Sequence, residues 1–422
     1  MKTNLVLNPS FAGSGTYPDA WSVESPRPGL APKFSVARSG RASALVQTAT
    51  GDPYIFGCWK TSVQLEKGNW YRGSIRARVR NLAQPHLSLL AHVAGHVLVP
   101  VETRKNEIRF QVEFRAGTPY DTDDMELYLR ATKSGWVEWF DPRVEEIAEP
   151  KHRVARVATT RFGELPAPIS LDAQRRRIAA LLDEAGAVRP DIAVLTEFCP
   201  AVGVDHKNYD NPLTVCEPVP GGPVCKVLAA AARKYRMHVL AGVMERRGKY
   251  CFNTAVLIDR KGKLAGTYEK THLTFGELKS GYSCGRRYPV FDLDFGRIGV
   301  HICYDEWFPE VARYYAHAGV EILFLPVWGG KPITWRTRAL DNGIYFVSAS
   351  VTPPSMIISS SGAILAETHH AGVVWADLNL DVRPTNWYVD PTLLTGMPCI
   401  RPHMRNVLDD RLLDDRPAAM KK

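Results

Sequence analysis

The chain has 422 residues, 45% of them hydrophobic and 23% charged, so it can bury more than one core and its length predicts two or more domains. Its formal net charge of +9 invites a polyanion, but the cations are spread among acids, the clusters at 175–177, 246–247 and 286–287 are short, and 175–177 reads as the solvated face of a helix, so nucleic acid is not expected as a partner. No apolar run reaches transmembrane length and no signal-type apolar core follows Met1-Lys-Thr-Asn; the eight cysteines lack metal-site spacing, and the expectation is a cytoplasmic protein with reduced thiols and no membrane partner.

Residues 1–150 read as an all-β sandwich. After Asn4-Leu-Val-Leu-Asn-Pro-Ser-Phe11 and Trp21 come short alternating runs at 43–48, 70–79, 87–93, 106–114 and 125–131, separated by turn residues. Trp136 to Glu146 alternates apolar and polar as a closing strand. The opening Asn-x-x-x-Asn-Pro-Ser-Phe, the downstream Trp and this closing strand resemble the galactose-binding-like jelly rolls that include carbohydrate-binding modules. That resemblance implies a jelly-roll domain, a carbohydrate as candidate partner, and a structural calcium near the chain ends for which Asp141 is the one ligand to name. Tyr54, Trp59, Trp70 and Tyr71 could form an aromatic platform, although aromatics in a sandwich more often belong to the core. A charged stretch with Pro150, residues 146–153, reads as the linker.

From there to residue 385 the pattern becomes alternating strands and helices. Strands are expected at 154–159, 192–196, 238–243, 252–258, 263–268, 298–302, 321–325, 345–350, 356–359, 363–366 and 373–378. Helices are expected from Ser170 to Glu184, Pro223 to Arg236, Val311 to Ala318 and Thr334 to Asn342, which makes a layered α/β domain over 151–385. A polar tail, 386–422, carries no periodic signal.

Three short motifs in this second domain carry the chemistry. Asp191-Ile-Ala-Val-Leu-Thr-Glu197 ends a buried strand in a carboxylate, and Tyr268-Glu-Lys270-Thr-His-Leu273 places a lysine just after a strand. Ile298-Gly-Val-His-Ile-Cys303-Tyr-Asp-Glu-Trp-Phe-Pro-Glu310 puts a thiol at a strand-to-helix turn, where a helix N-terminus would favour the thiolate. Glu197, Lys270 and Cys303 in this order resemble the nitrilase (carbon-nitrogen hydrolase) superfamily, over roughly residues 152–380. The resemblance implies a four-layer α-β-β-α sandwich, a Glu-Lys-Cys triad, no catalytic cofactor, and a homodimer or larger homo-oligomer.

A thiol of ordinary pKa is roughly 3% ionised at neutral pH, so Cys303 needs a base or a cation beside it. Glu197 is the expected base, and Lys270 the expected positive charge for a tetrahedral oxyanion, helped by the backbone N–H of Tyr304. The resemblance also points to Glu277 as a second carboxylate near the substrate and to Trp328 as a pocket wall. By strand alternation His301 falls on the same face as Cys303, where a packed, hydrogen-bonded histidine is the plainer reading and a pocket residue the sharper one. Asp305 reads as a residue that fixes the turn.

Cys-Tyr-Asp is closer to the amidase and carbamoylase branches than to nitrilases, so the expected substrate is a small amide, N-carbamoyl or ureido compound, cleaved through a thioester with release of ammonia or an amine. Nitrile hydrolysis and acyl transfer on the same fold are the near alternatives, and a carbohydrate- or ligand-binding protein with an inactive hydrolase domain is the distant one. The first strand lacks the glutamine or asparagine often found near its end, and the Pro- and Gly-rich segment 201–222 is long; both bear on substrate more than on fold.

Overall fold

The computed structural model describes residues 3–39, 42–83, 85–117, 122–164, 168–204 and 215–381; the tail expected over 386–422 lies outside them, as does part of the 201–222 segment. The chain divides between Lys151 and His152 into two compact units.

In the first unit every strand pairs antiparallel with its neighbours. One sheet has five strands in the order Ser22–Glu24, Phe56–Ser62, Asp124–Arg130, Leu89–Val93 and His96–Val97. The other has six: Lys33–Ser39, Ala42–Thr48, Trp136–Ile147, Trp70–Arg80, Glu107–Arg115 and Val99–Arg104. Alternate residues of both sheets meet in one core, with Trp59, Leu89 and Leu127 from the first and Leu45, Ile75, Phe110 and Trp139 from the second. Trp59 and Tyr71 are therefore core residues, whereas Tyr54 is 71% exposed, so the four aromatics weighed as a platform do not share one open face. Asp141 sits in a bulge of the closing strand, and its carboxylate accepts from Arg143 Nε at 2.8 Å. Among the described residues the groups that could hold a metal gather elsewhere, at Glu24, Cys58 and Glu126.

The second unit is built from two six-stranded sheets whose cores explain its layering. Each sheet has three central parallel strands joined through helices: Val154–Arg161, Ile192–Val194 and His238–Arg247 in one, Arg297–Val300, Ile322–Val327 and Tyr345–Ser350 in the other. Antiparallel strands complete both sheets, Tyr250–Ile258, Leu264–Glu269 and Gly372–Asn379 in the first, Val290–Asp292, Ser355–Ile358 and Ile364–Thr368 in the second.

The period of two divides the strand residues between three cores. Val157, Val194, Leu240 and Leu257 face Val300, Ile322, Phe324 and Val347 across the middle of the unit. On the outer side of the first sheet, Ala193, Val239 and Val256 pack against Ile178 and Leu182 of the helix Leu171–Ala187 and Leu228 of the helix Pro223–Tyr235. On the outer side of the second, Leu323, Leu325 and Phe346 pack against Tyr315 of the helix Pro309–His317 and Trp335 of the helix Pro332–Asn342. Helix, sheet, sheet and helix thus form four layers. No helix among the described residues is long and apolar enough to cross a membrane.

Ser170 caps the helix Leu171–Ala187 by accepting from the Ala173 N–H at 3.2 Å, and Gly186 near its other end allows close approach to the neighbouring helix. A Cβ on Gly186 would lie 2.2 Å from the Tyr235 ring. Alanine is the better helix former by about 1 kcal/mol, yet here the crowding wins. Gly186→Ala is expected to lower stability by about 1–3 kcal/mol in a urea titration; an unchanged or raised midpoint would show that the two helices can move apart freely.

Candidate functional site

The carboxyl ends of strands from both sheets of the second unit meet at one place. Glu197 follows Ile192–Val194, Lys270 follows Leu264–Glu269, Cys303 follows Arg297–Val300, and Trp328 follows Ile322–Val327. Lys270 is 1% exposed, and its Nζ lies 2.9 Å from Glu197 Oε1 and 3.0 and 2.8 Å from the two oxygens of Glu277. Glu277 reaches it from the short helix Phe275–Lys279, whose capping box also locks that carboxylate: Thr274 N–H and Oγ1 donate to Oε2 at 2.8 and 2.9 Å. The other Glu197 oxygen accepts the Trp328 backbone N–H at 2.9 Å. The Cys303 thiol neighbours this pair closely enough that both the Glu197 carboxylate and the Trp328 main chain act on its ionisation. Glu197, Lys270, Cys303 and Glu277 are thus in one cluster, and Trp328 joins it through its main chain.

Burial sets the electrostatics. It pushes the Cys303 thiol well above its ordinary range, Glu197 pushes the same way, and Lys270 only partly opposes them. Burial also works against the charge on Lys270, but Glu197, Cys303 and Glu277 together outweigh it and hold the ammonium protonated. The resting thiol is therefore protonated, with a carboxylate placed to receive its proton. A helix N-terminus does not supply the activation expected from the sequence, because a five-residue 3₁₀ turn, Cys303–Trp307, intervenes and the helix starts only at Pro309.

The turn itself is fixed by Asp305, which is buried. It accepts from Ile302 N–H at 2.8 Å, Tyr268 Oη at 2.7 Å, and His272 N–H and Nδ1 at 3.0 and 2.8 Å. Burial opposes its ionisation, but the donors His272, Ile302 and Tyr268, with the nearby His301, hold the carboxyl below the usual range. One carboxylate therefore ties the loop after Lys270 to the loop carrying Cys303. Tyr304 lies in the same turn with its ring 39% exposed against Phe308.

The strand ends at Val300, and Cys303, with a left-handed φ of 46°, packs partly against the outer core that contains Phe346. The His301 imidazole is packed as expected, buried edge-on to Phe346 at 5.4 Å between ring centroids, but neither ring nitrogen is hydrogen-bonded among the described residues.

With this geometry in view, the chain was compared with known proteins. The family model described as carbon-nitrogen hydrolase matches residues 156–385, more than half of the chain. The chain belongs to this family. It is 34% identical over 141 residues to a citrullinase of Francisella tularensis, a match covering 32% of this chain and 47% of that protein. It is 31% identical over 189 residues to a deaminated glutathione amidase of Synechocystis, covering 37% of this chain and 69% of the relative. Among solved structures it is similar to a carbon-nitrogen hydrolase of Helicobacter pylori G27, at 20% identity and a TM-score of 0.49, covering 54% of this chain and 90% of that one. The chain thus spans about half the length of the citrullinase.

Within this carbon-nitrogen hydrolase unit, sequence reasoning passed over Asn253, whose buried Nδ2 donates to both Glu197 and Glu277, and over Thr274. The Thr-Phe-Gly-Glu spacing of a capping box was the available signal for Thr274; Asn253 lay inside a strand pattern and gave none.

Burial, with help from Arg338 and His272 and against Asp305, holds His301 down to about 4 from an ordinary 6.5. At neutral pH it is uncharged folded or unfolded and contributes nothing to pH dependence. As pH falls from about 6.5 to about 4 the unfolded chain takes the proton first, so folded stability is lost across that window, by about 3 kcal/mol from this residue. His301→Phe should lose correspondingly less stability than the wild type between those pH values in urea titrations. Parallel losses would mean that His301 ionises freely in the folded protein.

Proposed function

We propose that the second unit is a thiol hydrolase of non-peptide C–N bonds. The observation that carries this reading is the Cys303 thiol beside the Glu197 carboxylate, which is itself bonded to a buried Lys270. The Cys303 proton passes to Glu197 as sulfur attacks the carbonyl carbon and the C=O electron pair moves to oxygen. Lys270, with the Tyr304 backbone N–H, stabilises that oxyanion. When the oxyanion collapses, the C–N bond breaks and the proton on Glu197 goes to the departing nitrogen, leaving a thioester and free ammonia or amine. Water then gives a proton to Glu197 and attacks the thioester, and the sulfur leaves with that proton as the acid is released.

The substrate we favour is a small amide, N-carbamoyl or ureido compound. Its support is the Cys303-Tyr-Asp305 sequence together with the names of two relatives, one a citrullinase and the other an amidase. Citrulline carries a ureido group, so the two names cover two of the favoured bond types.

Ammonia release should be followed across amides, N-carbamoyl amino acids, ureido compounds and nitriles. Activity is expected in one of the first three classes and absent in Cys303→Ala, while Lys270→Gln should reduce kcat by about a hundredfold or more. Activity surviving in Cys303→Ala would remove the thiol from the mechanism. Turnover confined to nitriles would correct the bond type and keep the nucleophile.

A further inference from the structure

Asn253 stands between the two carboxylates of the site. It is wholly buried on the strand Tyr250–Ile258, and its Nδ2 donates to Glu197 Oε1 and to Glu277 Oε1, each at 2.7 Å. These are the same two oxygens that Lys270 Nζ reaches at 2.9 and 3.0 Å. Its backbone carbonyl also accepts the Lys270 N–H at 2.8 Å, so the two residues are held in register by the sheet edge. Its Oδ1 is buried with no hydrogen-bond partner among the described residues.

That imbalance is informative. An amide inside a protein normally satisfies its acceptor as well as its donors, because a buried orphan is destabilising. Here the acceptor is left unused while both N–H groups go to carboxylates. The opposite orientation would set Oδ1 against two carboxylate oxygens, so the arrangement of neighbours assigns the amide. One ammonium balances one carboxylate. Cys303 and Glu306 beside Glu197 and Tyr282 beside Glu277 also face the pair among the described residues, and none of these three brings a second positive charge. The two neutral donors of Asn253 meet the remaining need without adding a cation that would compete with Lys270.

We propose that Asn253 is a positioning residue that holds Glu197 and Glu277 around one lysine and keeps Glu197 in place to take the Cys303 proton. The proposal rests on the thiol-hydrolase reading above. Both bonds from its Nδ2 go to the two carboxylates, so Asn253 acts through Glu197. Without its donors the carboxylate that receives the Cys303 proton is no longer held in place, and transfer from Cys303 begins at higher pH.

The test uses the full chain and needs no substrate. Alkylation of Cys303 by iodoacetamide is followed against pH by peptide mass spectrometry, with the exposed Cys284 as internal reference. The variants are Asn253→Leu, which keeps the shape and removes both donors, and Asn253→Asp, which keeps the shape and adds a third carboxyl around one lysine. In both, the acid limb of Cys303 alkylation should move up by about one pH unit or more, a roughly tenfold slower reaction on that limb, while Cys284 is unaffected. Asn253→Leu removes the orphan acceptor but leaves two buried carboxylates each a donor short, so it should melt below the wild type, and alkylation is read only where it is folded. If the leucine variant does not fold, the aspartate variant carries the test alone. An unmoved limb in a folded variant overturns the proposal and leaves the hydrolase reading standing. A wild type whose Cys303 is alkylated no faster than Cys284 at any pH overturns the thiol-nucleophile reading, and this proposal with it.

Discussion

Everything in the second unit that bears on chemistry depends on keeping an ammonium and two carboxylates out of water together. Removing Lys270, Glu197 and Glu277 from solvent costs several kcal/mol per ion, and the attraction between them offsets this only when each lone pair and proton finds a partner. The structure meets that condition from four directions. Thr274 and Asn253 occupy oxygens of Glu277, Trp328 N–H holds Glu197, and the sheet carries the Lys270 backbone. Close packing behind the ions prevents relaxation: a Cβ on Gly242 would come within 2.6 Å of Glu197 Cα, and one on Gly285 within 2.1 Å of the Glu269 carbonyl oxygen. Such a cluster is poor evidence for stability. It is good evidence for a fixed electrostatic environment, which is what proton transfer from a protonated, buried thiol requires.

Cys303 is joined to that cluster by a second device. Its left-handed backbone conformation is uncommon for a residue with a Cβ, and the Asp305 knot holds the turn in place. Because Asp305 also accepts from Tyr268 and His272, on either side of Lys270, the distance between nucleophile and ammonium is set by one buried carboxylate rather than by two independent loops. Glu306, the next residue, is buried as well; its desolvation raises its proton affinity, and it accepts the Trp335 indole N–H and the Lys331 N–H. The turn is thereby anchored to the helix that covers the outer sheet.

Much of this was legible from spacing. The central strands read as short apolar runs because both of their faces are covered, and Glu197, Lys270 and Cys303 each stand just past such a run, where parallel strands deliver side chains to a common edge. What could not be read was any contact made across the chain. Asn253 looks like any residue of a strand, and its importance arises only when residues 56 positions back and 24 ahead converge on it. Strand alternation could pack His301 but could not say whether its ring nitrogens find partners, which depends on residues brought in from elsewhere in the chain. In the first unit, Trp59 and Tyr71 are held in the core by alternation and Tyr54 stands outside it, a division that aromatic content alone does not reveal.

The location of the site follows from the way the two sheets repeat one plan. In each, a strand, a helix, a strand, a helix and a strand run in the same order, and the sheets face each other across a shared apolar core. The middle strand of one plan, Ile192–Val194, is followed by Glu197; the middle strand of the other, Ile322–Val327, is followed by Trp328. These two equivalent positions meet, and the Trp328 N–H bonds the Glu197 carboxylate. Cys303 leaves the first parallel strand of the second plan beside them, and Lys270 closes the hairpin that follows the third strand of the first plan. An α/β sheet leaves its strand-end backbone groups free for ligands or side chains. With two such sheets face to face, one set of strand ends supplies the carboxylate and lysine while the other supplies the thiol and the N–H, so that neither sheet alone contains the site.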